Sequence, residues 1–272
     1  MNADLRGQHD LGDIVGLAYR VYGRHFATLL GIALTTVPLQ MLIAVVQRRV
    51  GSHAAQQNIV SLLIIPAVLV SLLASAALIA AVHEISGGTA PGFSRAIDAA
   101  FERFRPVIAT ALLAAGLGVL SLAAVPVLTL WWLTHPGATV DGRRNWWLVT
   151  VPFALTLYLS VRWLFAEQAV MIEGGDRWTA LDASAGAVRG RWWRTFGIVV
   201  VITLIQLGPL LLATAATLAP ALVAAVVTSV VSALVLPFAV TAQTLLYYDL
   251  KARRQADASA DRLPAPEQDL PR

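Results

Sequence analysis

The 272-residue sequence contains no cysteine and only one lysine, Lys251. Without cysteine the chain forms no disulfide, holds no metal through thiolates and has no cysteine nucleophile. Charged residues of any kind are few, at 13% against about 25% in an average soluble domain. Hydrophobic residues make up 57% and are gathered into long runs, a pattern typical of helices that span a membrane. Because these runs fill the chain, the sequence predicts a single membrane domain.

The sequence also lacks the motifs of common enzyme classes. It has neither the GxSxG motif of serine hydrolases nor a P-loop. The stretch VHEIS (82–86) begins like a zinc-binding HExxH motif, but the second histidine is missing. The five histidines are scattered along the chain, and no pair of intramembrane carboxylates suggests a proton relay. We therefore expect a protein that is not an enzyme and that has no metal or other cofactor.

Six apolar runs are near or above the roughly 20 residues that a helix needs to cross the hydrocarbon core. The last two form one uncharged stretch that is too long for a single crossing, and Pro220 divides it. The chain before the first run is polar, so we do not expect a signal peptide. The predicted spans are Phe26–Val46, Ile59–Val82, Val107–Leu133, Trp146–Ala166, Phe196–Leu218 and Ala221–Tyr247.

The charges of the loops predict the orientation. The N-terminus, the 83–106 and 167–195 loops and the C-terminal tail hold 3, 3, 4 and 5 lysines or arginines. The opposite loops, 47–58, 134–145 and 218–221, hold 2, 2 and 0. Because basic loops stay in the cytoplasm, both termini are expected there. The same distribution accounts for the pI of about 10, so we expect no nucleic-acid partner.

The stretch RGRWWRTFG (189–197) places two tryptophans among three arginines, directly before an apolar run. Tryptophan favours the headgroup level of a membrane because its ring is apolar and its N–H needs a partner. Neighbouring arginines can contact lipid phosphates. We interpret the stretch as a cytoplasmic membrane surface, and the alternative is a specific site for a lipid headgroup or a partner protein. Its residues are Arg189, Arg191, Trp192, Trp193 and Arg194.

Each predicted span has one proline near its middle, and these prolines indicate an internal repeat. Those of the odd spans are 88 and 83 residues apart, and those of the even spans 86 and 85. ISGG (85–88) and IEGG (172–175) end the first two units at matching offsets. Proline interrupts helical hydrogen bonding and kinks the helix, so the spans either enclose a cavity or are bent only for packing. The prolines are Pro38, Pro66, Pro126, Pro152, Pro209 and Pro237.

An amphipathic segment precedes each odd span, with apolar residues at i, i+4 and i+7. Such helices lie along the inner membrane surface or under the bundle. The stripes are Ile14, Ala18 and Val21; Ile97, Phe101 and Phe104; and Leu181, Ala185 and Val188, with Phe93 and Trp178 extending the last two. We predict an all-α membrane domain of three parallel repeats, each an interfacial helix followed by a transmembrane hairpin. The repeats cover approximately 11–88, 93–175 and 178–254, and a disordered cytoplasmic tail follows at 255–272.

A few polar residues lie within the predicted spans. Arg162 is the only charged one well inside a span. Either it extends toward the cytoplasmic headgroups, or it forms a buried ion pair. Glutamines at depth are expected to hydrogen-bond between helices rather than to bind a substrate. The candidate ion-pair partners are Glu167, Glu173 and Asp249, and the glutamines are Gln40, Gln206 and Gln243.

Three stretches resemble a bacterial integral-membrane domain that is attached to some glycerophosphodiester phosphodiesterases and also occurs alone. They are LGDIVGLAYRVYGRHFATLLGI (11–32), VRWLFAEQAVMIEGGDRWTALDASAGAVRGRWWRTFGI (161–198) and YYDLKARR (247–254). The second is the most specific. Its family-like residues are Arg162, Glu173, Ala180, Leu181, Ser184, Gly190, Arg191 and Trp193.

The resemblance implies a multi-pass protein of the bacterial cytoplasmic membrane. In that family the phosphodiesterase activity belongs to a separate soluble barrel domain, and the tail after residue 254 is too short to contain one. We therefore expect a non-enzymatic scaffold or accessory subunit in an envelope or lipid-related process. Its expected partners are membrane lipids and a protein at the cytoplasmic face. The alternative is a transporter or lipid-handling protein with a cavity between the proline-kinked helices.

Overall fold

The computed structural model of the chain describes residues 5–49, 53–134, 147–215 and 220–260. Every regular element in these ranges is a helix, which confirms the predicted all-α class. In chain order the helices are α1 (Leu11–Arg24), α2 (Phe26–Leu34), α3 (Val37–Arg49), α4 (His53–Ser86), α5 (Phe93–Glu102), α6 (Phe104–Thr134), α7 (Trp147–Arg162), α8 (Ala166–Glu173), α9 (Arg177–Val188), α10 (Trp192–Ala215) and α11 (Ala221–Ala260).

Four segments of the described chain are long and apolar enough to cross a membrane. A fifth is added if α5 and α6, which are bent by 63° at the break between them, count as one span. Among the other predicted spans, the fourth corresponds to α7, of which the structure describes Trp147–Arg162. The four segments are Phe26–Val46, Ile59–Ser86, Trp192–Leu211 and Val223–Ala260.

Pro38 coincides with a break between α2 and α3. The hydroxyl groups of Thr35 and Thr36 donate to the carbonyl oxygens of Ile32 and Ala33, at 2.7 and 2.8 Å. A proline has no N–H to donate, and its ring clashes with the preceding turn, so the helix is interrupted there. The first predicted span is therefore broken rather than only kinked. Four other prolines lie inside continuous helices, namely Pro66, Pro152, Pro209 and Pro237.

The IEGG stretch is a sharp boundary between α8 and α9. Gly174 has a φ of 78°, a left-handed conformation that glycine adopts without a steric penalty. Asp176 then caps α9, since its carboxylate accepts the backbone N–H of Thr179 at 3.0 Å. That hydrogen bond lowers the pKa of the exposed Asp176 carboxyl. The chain thus turns from one helix into the next within three residues.

The buried core lies at the end of the bundle that holds both chain termini, and we call this the termini end. Along its length, α11 packs against α1, α2, α3, α4 and α10. The fully buried side chains of α11 at this end are Leu245, Leu246, Tyr247 and Leu250. Toward the opposite end, side chains such as Leu62 and Leu120 are largely exposed. This exposure is appropriate for helices surrounded by lipid, because lipid tails are as apolar as leucine.

The three helices that contain the predicted amphipathic stripes, α1, α5 and α9, bury different kinds of residue. The predicted stripes of α1 and α9 are buried against the bundle, so these helices lie under it. In α5 the buried residues are Ala96 and Ala100, whereas Phe101 of the predicted stripe is 58% exposed. Alanine lets α5 approach α4 closely, which turns the larger phenylalanine outward. Of the two predicted positions, under the bundle or along the inner membrane surface, the exposure of Phe101 favours the second for α5.

Helix α11 extends beyond the predicted domain boundary and ends at Ala260. The prediction of disorder from residue 255 is therefore wrong for the first six residues. In this added stretch, Asp257 binds Arg191, with Oδ2 2.5 Å from Nη2. The rest of the predicted tail, 261–272, lies outside the described residues.

Candidate functional site at the termini end

The sequence YYDLKARR, near the C-terminal end of α11, connects several helices at the termini end. Tyr247 contacts α8, Tyr248 contacts α4, and Asp249 contacts α10. Successive residues of an α-helix project about 100° apart, since there are 3.6 per turn. Three consecutive side chains therefore reach three different neighbours.

Asp249 is a completely buried carboxylate with two arginine partners. Its Oδ2 lies 2.6 Å from Nη1 of Arg194, and its Oδ1 lies 2.9 Å from Nε of Arg253. The backbone N–H of His9 also donates to Oδ1, at 2.7 Å. These charge-assisted hydrogen bonds offset the cost of taking the charge out of water. Asp249 thereby joins α10 and the N-terminal segment to α11.

The same two arginines hold the segment that precedes α1. Both Arg194 and Arg253 donate through Nη2 to the carbonyl oxygen of His9, at 2.7 and 3.0 Å. A guanidinium carries several donors in one plane, so each side chain bridges a carboxylate and a carbonyl. The first residues of the chain are therefore part of the same network as the end of α11.

Glu173, the last residue of α8, makes a second connection to α11. The hydroxyl of Tyr247 donates to Oε1 of Glu173, and Nζ of Lys251 lies 3.0 Å from the same oxygen. The Tyr247 ring is buried and lies 5.7 Å from the Phe165 ring, measured between centroids. The only lysine of the sequence thus forms an ion pair across the predicted second and third repeats.

His83 and Tyr248 make a third connection, between α4 and α11. Nδ1 of His83 lies 2.7 Å from the Tyr248 hydroxyl, and the Ser86 hydroxyl donates to the same oxygen at 3.3 Å. Arg6 donates to Oγ of Ser86 at 3.2 Å, and its guanidinium lies 5.9 Å from the centre of the Tyr248 ring. The N-terminal segment is therefore attached to α4 as well as to α10 and α11.

Arg103, at the break between α5 and α6, caps the C-terminal end of α8. Its Nη1 donates to the carbonyl oxygens of Val170 and Met171, each at 2.9 Å. The last carbonyls of a helix have no partner within the helix, and a cation there also complements the helix dipole. Gly174 leaves room for this contact, because a Cβ at that position would lie 3.2 Å from Nη1 of Arg103.

Arg162 does not form the predicted ion pairs among the described residues. Its Nη1 donates to the Tyr158 hydroxyl at 3.0 Å, and its guanidinium lies 5.9 Å from the centre of that ring. Because Arg162 is the last residue of α7 and is exposed, its side chain lies apart from the three candidate acids. Those acids have other partners: Ser75 for Glu167, Tyr247 and Lys251 for Glu173, and Arg194 and Arg253 for Asp249.

Two of the three glutamines form hydrogen bonds with residues near them in the sequence instead of with another helix. Nε2 of Gln40 donates to Oγ1 of Thr36 at 3.3 Å, and Nε2 of Gln206 donates to the Ile202 carbonyl at 3.2 Å. Each partner lies four residues earlier, at the position that a helix brings to the same face. The interhelical hydrogen bonds of these two residues stay a prediction. Gln243 is half-buried on α11.

The stretch RGRWWRTFG separates into exposed and paired residues. Trp193 is 77% exposed, and Arg189 is also exposed, as a membrane surface requires. Arg191 and Arg194 instead bind carboxylates of α11. Only part of the predicted cluster is therefore available to lipid headgroups.

Trp192 packs between two other aromatic residues. Its ring stacks on Phe196, with centroids 5.2 Å apart, and on Tyr158, with centroids 6.0 Å apart. Its Nε1 donates to the carbonyl oxygen of Tyr158 at 3.3 Å. Trp192 therefore joins the start of α10 to the end of α7.

Glu167 is a largely covered acid whose carboxyl contacts a hydroxyl of α4. Oγ of Ser75 lies 2.8 Å from Oε2 of Glu167 and 3.1 Å from the Leu72 carbonyl oxygen. A serine has one hydroxyl hydrogen, so it donates to only one of these oxygens at a time. When it donates to Leu72, the Glu167 contact requires a protonated carboxyl. Burial raises the pKa of Glu167, which favours the protonated form.

In the sequence, Ser184 stands out only through the family resemblance. In the structure it joins α9 to the turn between α7 and α8. Its Oγ accepts the backbone N–H of Phe165 at 3.1 Å and donates to the Arg162 carbonyl at 2.9 Å. These two backbone groups lie in the turn between α7 and α8. The sequence feature that could have indicated this role is a single hydroxyl group on the buried, alanine-rich face of α9. Arg103 was missed because nothing in its local sequence indicates a partner 67 residues away.

The polar groups of the termini end bind one another and hold the helices in a fixed arrangement. Among the residues that the structure describes, no group of three or more histidine, aspartate or glutamate side chains is placed to hold a metal ion. The all-helical fold and its long apolar helices indicate a membrane protein. Comparison of the chain with family models, with curated proteins and with solved structures finds no match.

Proposed function

We propose that the chain is a non-enzymatic membrane scaffold or accessory subunit in an envelope or lipid-related process. The observation that carries this proposal is the network around Asp249, which joins the N-terminal segment, α10 and α11, while aromatic side chains of α5 and α9 stay exposed. Phe101 of α5 and Trp178 of α9 are each 58% exposed. A rigid surface with exposed aromatic residues is suited to bind a partner protein, because little entropy is lost on association.

The proposal includes six spans, with the termini end in the cytoplasm of a bacterium. The ratio of 15 basic residues to 4 in the predicted loops supports this orientation. Helices α6 and α7 pack against each other, which supports a second hairpin that crosses the membrane and returns.

The order of the helices supports the threefold repeat. The short helices α1, α5 and α9 begin at Leu11, Phe93 and Arg177, which are 82 and 84 residues apart. Each is followed by two apolar helical segments, and in the second unit the additional short helix α8 lies between α7 and α9. This recurrence agrees with the spacing of the prolines, and both follow from one repeated supersecondary unit.

Labelling of single cysteines tests the six-span topology, and the cysteine-free sequence makes this straightforward. Thr139→Cys lies in the predicted 134–145 loop, whereas Ser94→Cys is on α5 and Ser259→Cys is at the end of α11. We expect an impermeant maleimide to label Thr139→Cys in intact cells. The other two variants should react only after permeabilisation. Identical behaviour of Thr139→Cys and Ser94→Cys would exclude a crossing by α6 and α7.

Purification from the native host in mild detergent tests the scaffold proposal. We expect a stoichiometric protein partner, identified by mass spectrometry, whose recovery falls at least about tenfold when Phe101 and Trp178 are both changed to serine. Losing two aromatic contacts at the centre of an interface costs enough free energy for that change. Phe153→Ser, a similarly exposed position on α7, is the matched control and should keep the partner. A partner retained by the double variant would contradict the assigned surface.

A lipid-handling protein is the second candidate function, and one observation favours it. An open, mostly apolar groove lies between α7 and α10. Both of these helices contain one of the repeated prolines, Pro152 or Pro209. A groove between two proline-containing helices supports the cavity hypothesis.

A further inference from the structure

The groove between α7 and α10 has a volume of about 300 Å³, at the lower end of the range for small-molecule sites. Thr203 is one of two hydroxyl-bearing residues in its wall, and its Oγ1 donates to the Val199 carbonyl of its own helix. The wall therefore offers mainly apolar surface to an occupant. Its principal apolar residues are Leu157, Val161, Phe196, Val199, Val200 and Leu204.

The dimensions of the groove fit a single hydrocarbon chain. Along α10 it extends from Phe196 to Leu204, about 12 Å at 1.5 Å per residue. One leaflet of the hydrocarbon core is about 15 Å thick, half of the full core. The volume divided by this length gives a cross-section of about 25 Å², whereas a helix about 10 Å across occupies roughly 80 Å². A whole helix of a second copy or of a partner therefore does not fit inside the groove.

A series of contacts through aromatic rings connects one end of the groove to the guanidinium of Arg162. Phe196 lines the groove and stacks on Trp192, Trp192 stacks on Tyr158, and the Tyr158 hydroxyl accepts a hydrogen bond from Arg162. The Arg162 guanidinium is exposed and has no carboxylate partner within the described chain. Its remaining N–H groups are available to an anion, and a guanidinium matches the geometry of phosphate.

We infer that the groove binds one acyl chain of an anionic glycerophospholipid from the cytoplasmic leaflet, whose phosphate group contacts Arg162. The apolar wall takes the chain, and the ring of Trp192 marks the level at which the chain meets its polar headgroup. This inference deepens the lipid-handling candidate. It also rests on the proposed position of α7 in the membrane, which cysteine labelling tests separately.

Native mass spectrometry with defined lipids tests this site. The purified protein is titrated with dioleoyl phosphatidylglycerol or with dioleoyl phosphatidylcholine, which have the same acyl chains and differ in net charge. We expect one phosphatidylglycerol molecule to be retained, and Arg162→Gln to weaken its binding about fivefold, the effect of one cation at a lipid surface. Binding of phosphatidylcholine should weaken less, because its choline cation offsets the charge of the same phosphate group. Val200→Trp, which fills the groove, should abolish retention of both lipids.

Two control variants make the outcome decisive. Arg177→Gln removes an exposed arginine of α9, and Val119→Trp adds a ring to an exposed position of α6 outside the groove. Neither should alter lipid retention. Equal effects of Arg162→Gln and Arg177→Gln would show only general charge attraction and overturn the site. Retention unaffected by Val200→Trp, or a dimer in place of bound lipid, would also overturn it. Partner recovery by the Phe101 and Trp178 variants is independent of these results.

Discussion

Replacing Asp249 by alanine is expected to lower the free energy of unfolding by about 3–5 kcal/mol, the cost of removing one partner from a buried ion pair. Asp249 is completely buried, and the side chains of Arg194 and Arg253 are only 29% and 23% exposed. Without the carboxylate, Arg194 loses its counter-charge in a poorly solvated site, and Arg253 keeps only the more distant carboxylate of Asp10, at 3.8 Å. The His9 backbone N–H also loses its acceptor. The change is measured as the midpoint of thermal or SDS-induced unfolding in detergent.

Asp257→Ala is the matched control for this prediction. Asp257 is also an aspartate of α11 bound to an arginine, but its side chain is 60% exposed. Exposed ion pairs contribute only about 0–1 kcal/mol, so Asp257→Ala should leave the midpoint nearly unchanged. If Asp249→Ala is as stable as Asp257→Ala, the network around Asp249 does not hold the termini end together. The proposed rigid surface would then lose its basis.

Replacing Ser184 by alanine is expected to cost about 1–3 kcal/mol for each backbone group left without a partner. The hydroxyl of Ser184 serves the Phe165 N–H and the Arg162 carbonyl, and it is itself completely buried. No other part of the side chain is removed, and alanine has the higher helix propensity. A loss of stability therefore reports the two hydrogen bonds. The turn between α7 and α8 should become less protected in hydrogen exchange.

Ser71→Ala provides the comparison, because Ser71 lies on the exposed surface of α4. Its replacement should change the unfolding midpoint by less than about 0.5 kcal/mol in free energy, as surface substitutions usually do. If Ser184→Ala behaves like Ser71→Ala and exchange at Phe165 is unaltered, the bridge from α9 to the turn is not a stabilising contact.

The local pattern of the sequence predicted the helices well. It did not predict for every helix which face is buried. The stripe of Ile14, Ala18 and Val21 is buried, whereas Phe101 of the equivalent stripe is exposed. In water an apolar stripe has one favourable destination, the protein core. In a membrane it has two, because lipid is as apolar as the core. Hydrophobicity therefore located the membrane helices and did not decide which side of each helix packs against protein.

The sequence identified acids of the candidate site but not the cations that bind them. Glu173 and Asp249 were predicted as candidate partners of Arg162, and both form ion pairs with other cations. Their cations are Lys251 and Arg194 rather than Arg162. Choosing among several arginines requires distances between residues far apart in the sequence, and a sequence pattern contains none. The resemblance to a membrane-domain family stays a prediction, as do the six spans and the threefold repeat.

By itself, the sequence determined that this protein is all-helical and rich in helices able to enter a membrane, because span length and apolar periodicity are local properties of the chain. Only the tertiary structure decided that Asp249 joins the two ends of the chain, that Arg162 stays free of the acids, and that α7 and α10 leave a groove between them. Those features depend on how the helices pack. Packing is decided by the shapes of facing surfaces and by the pairing of buried charges.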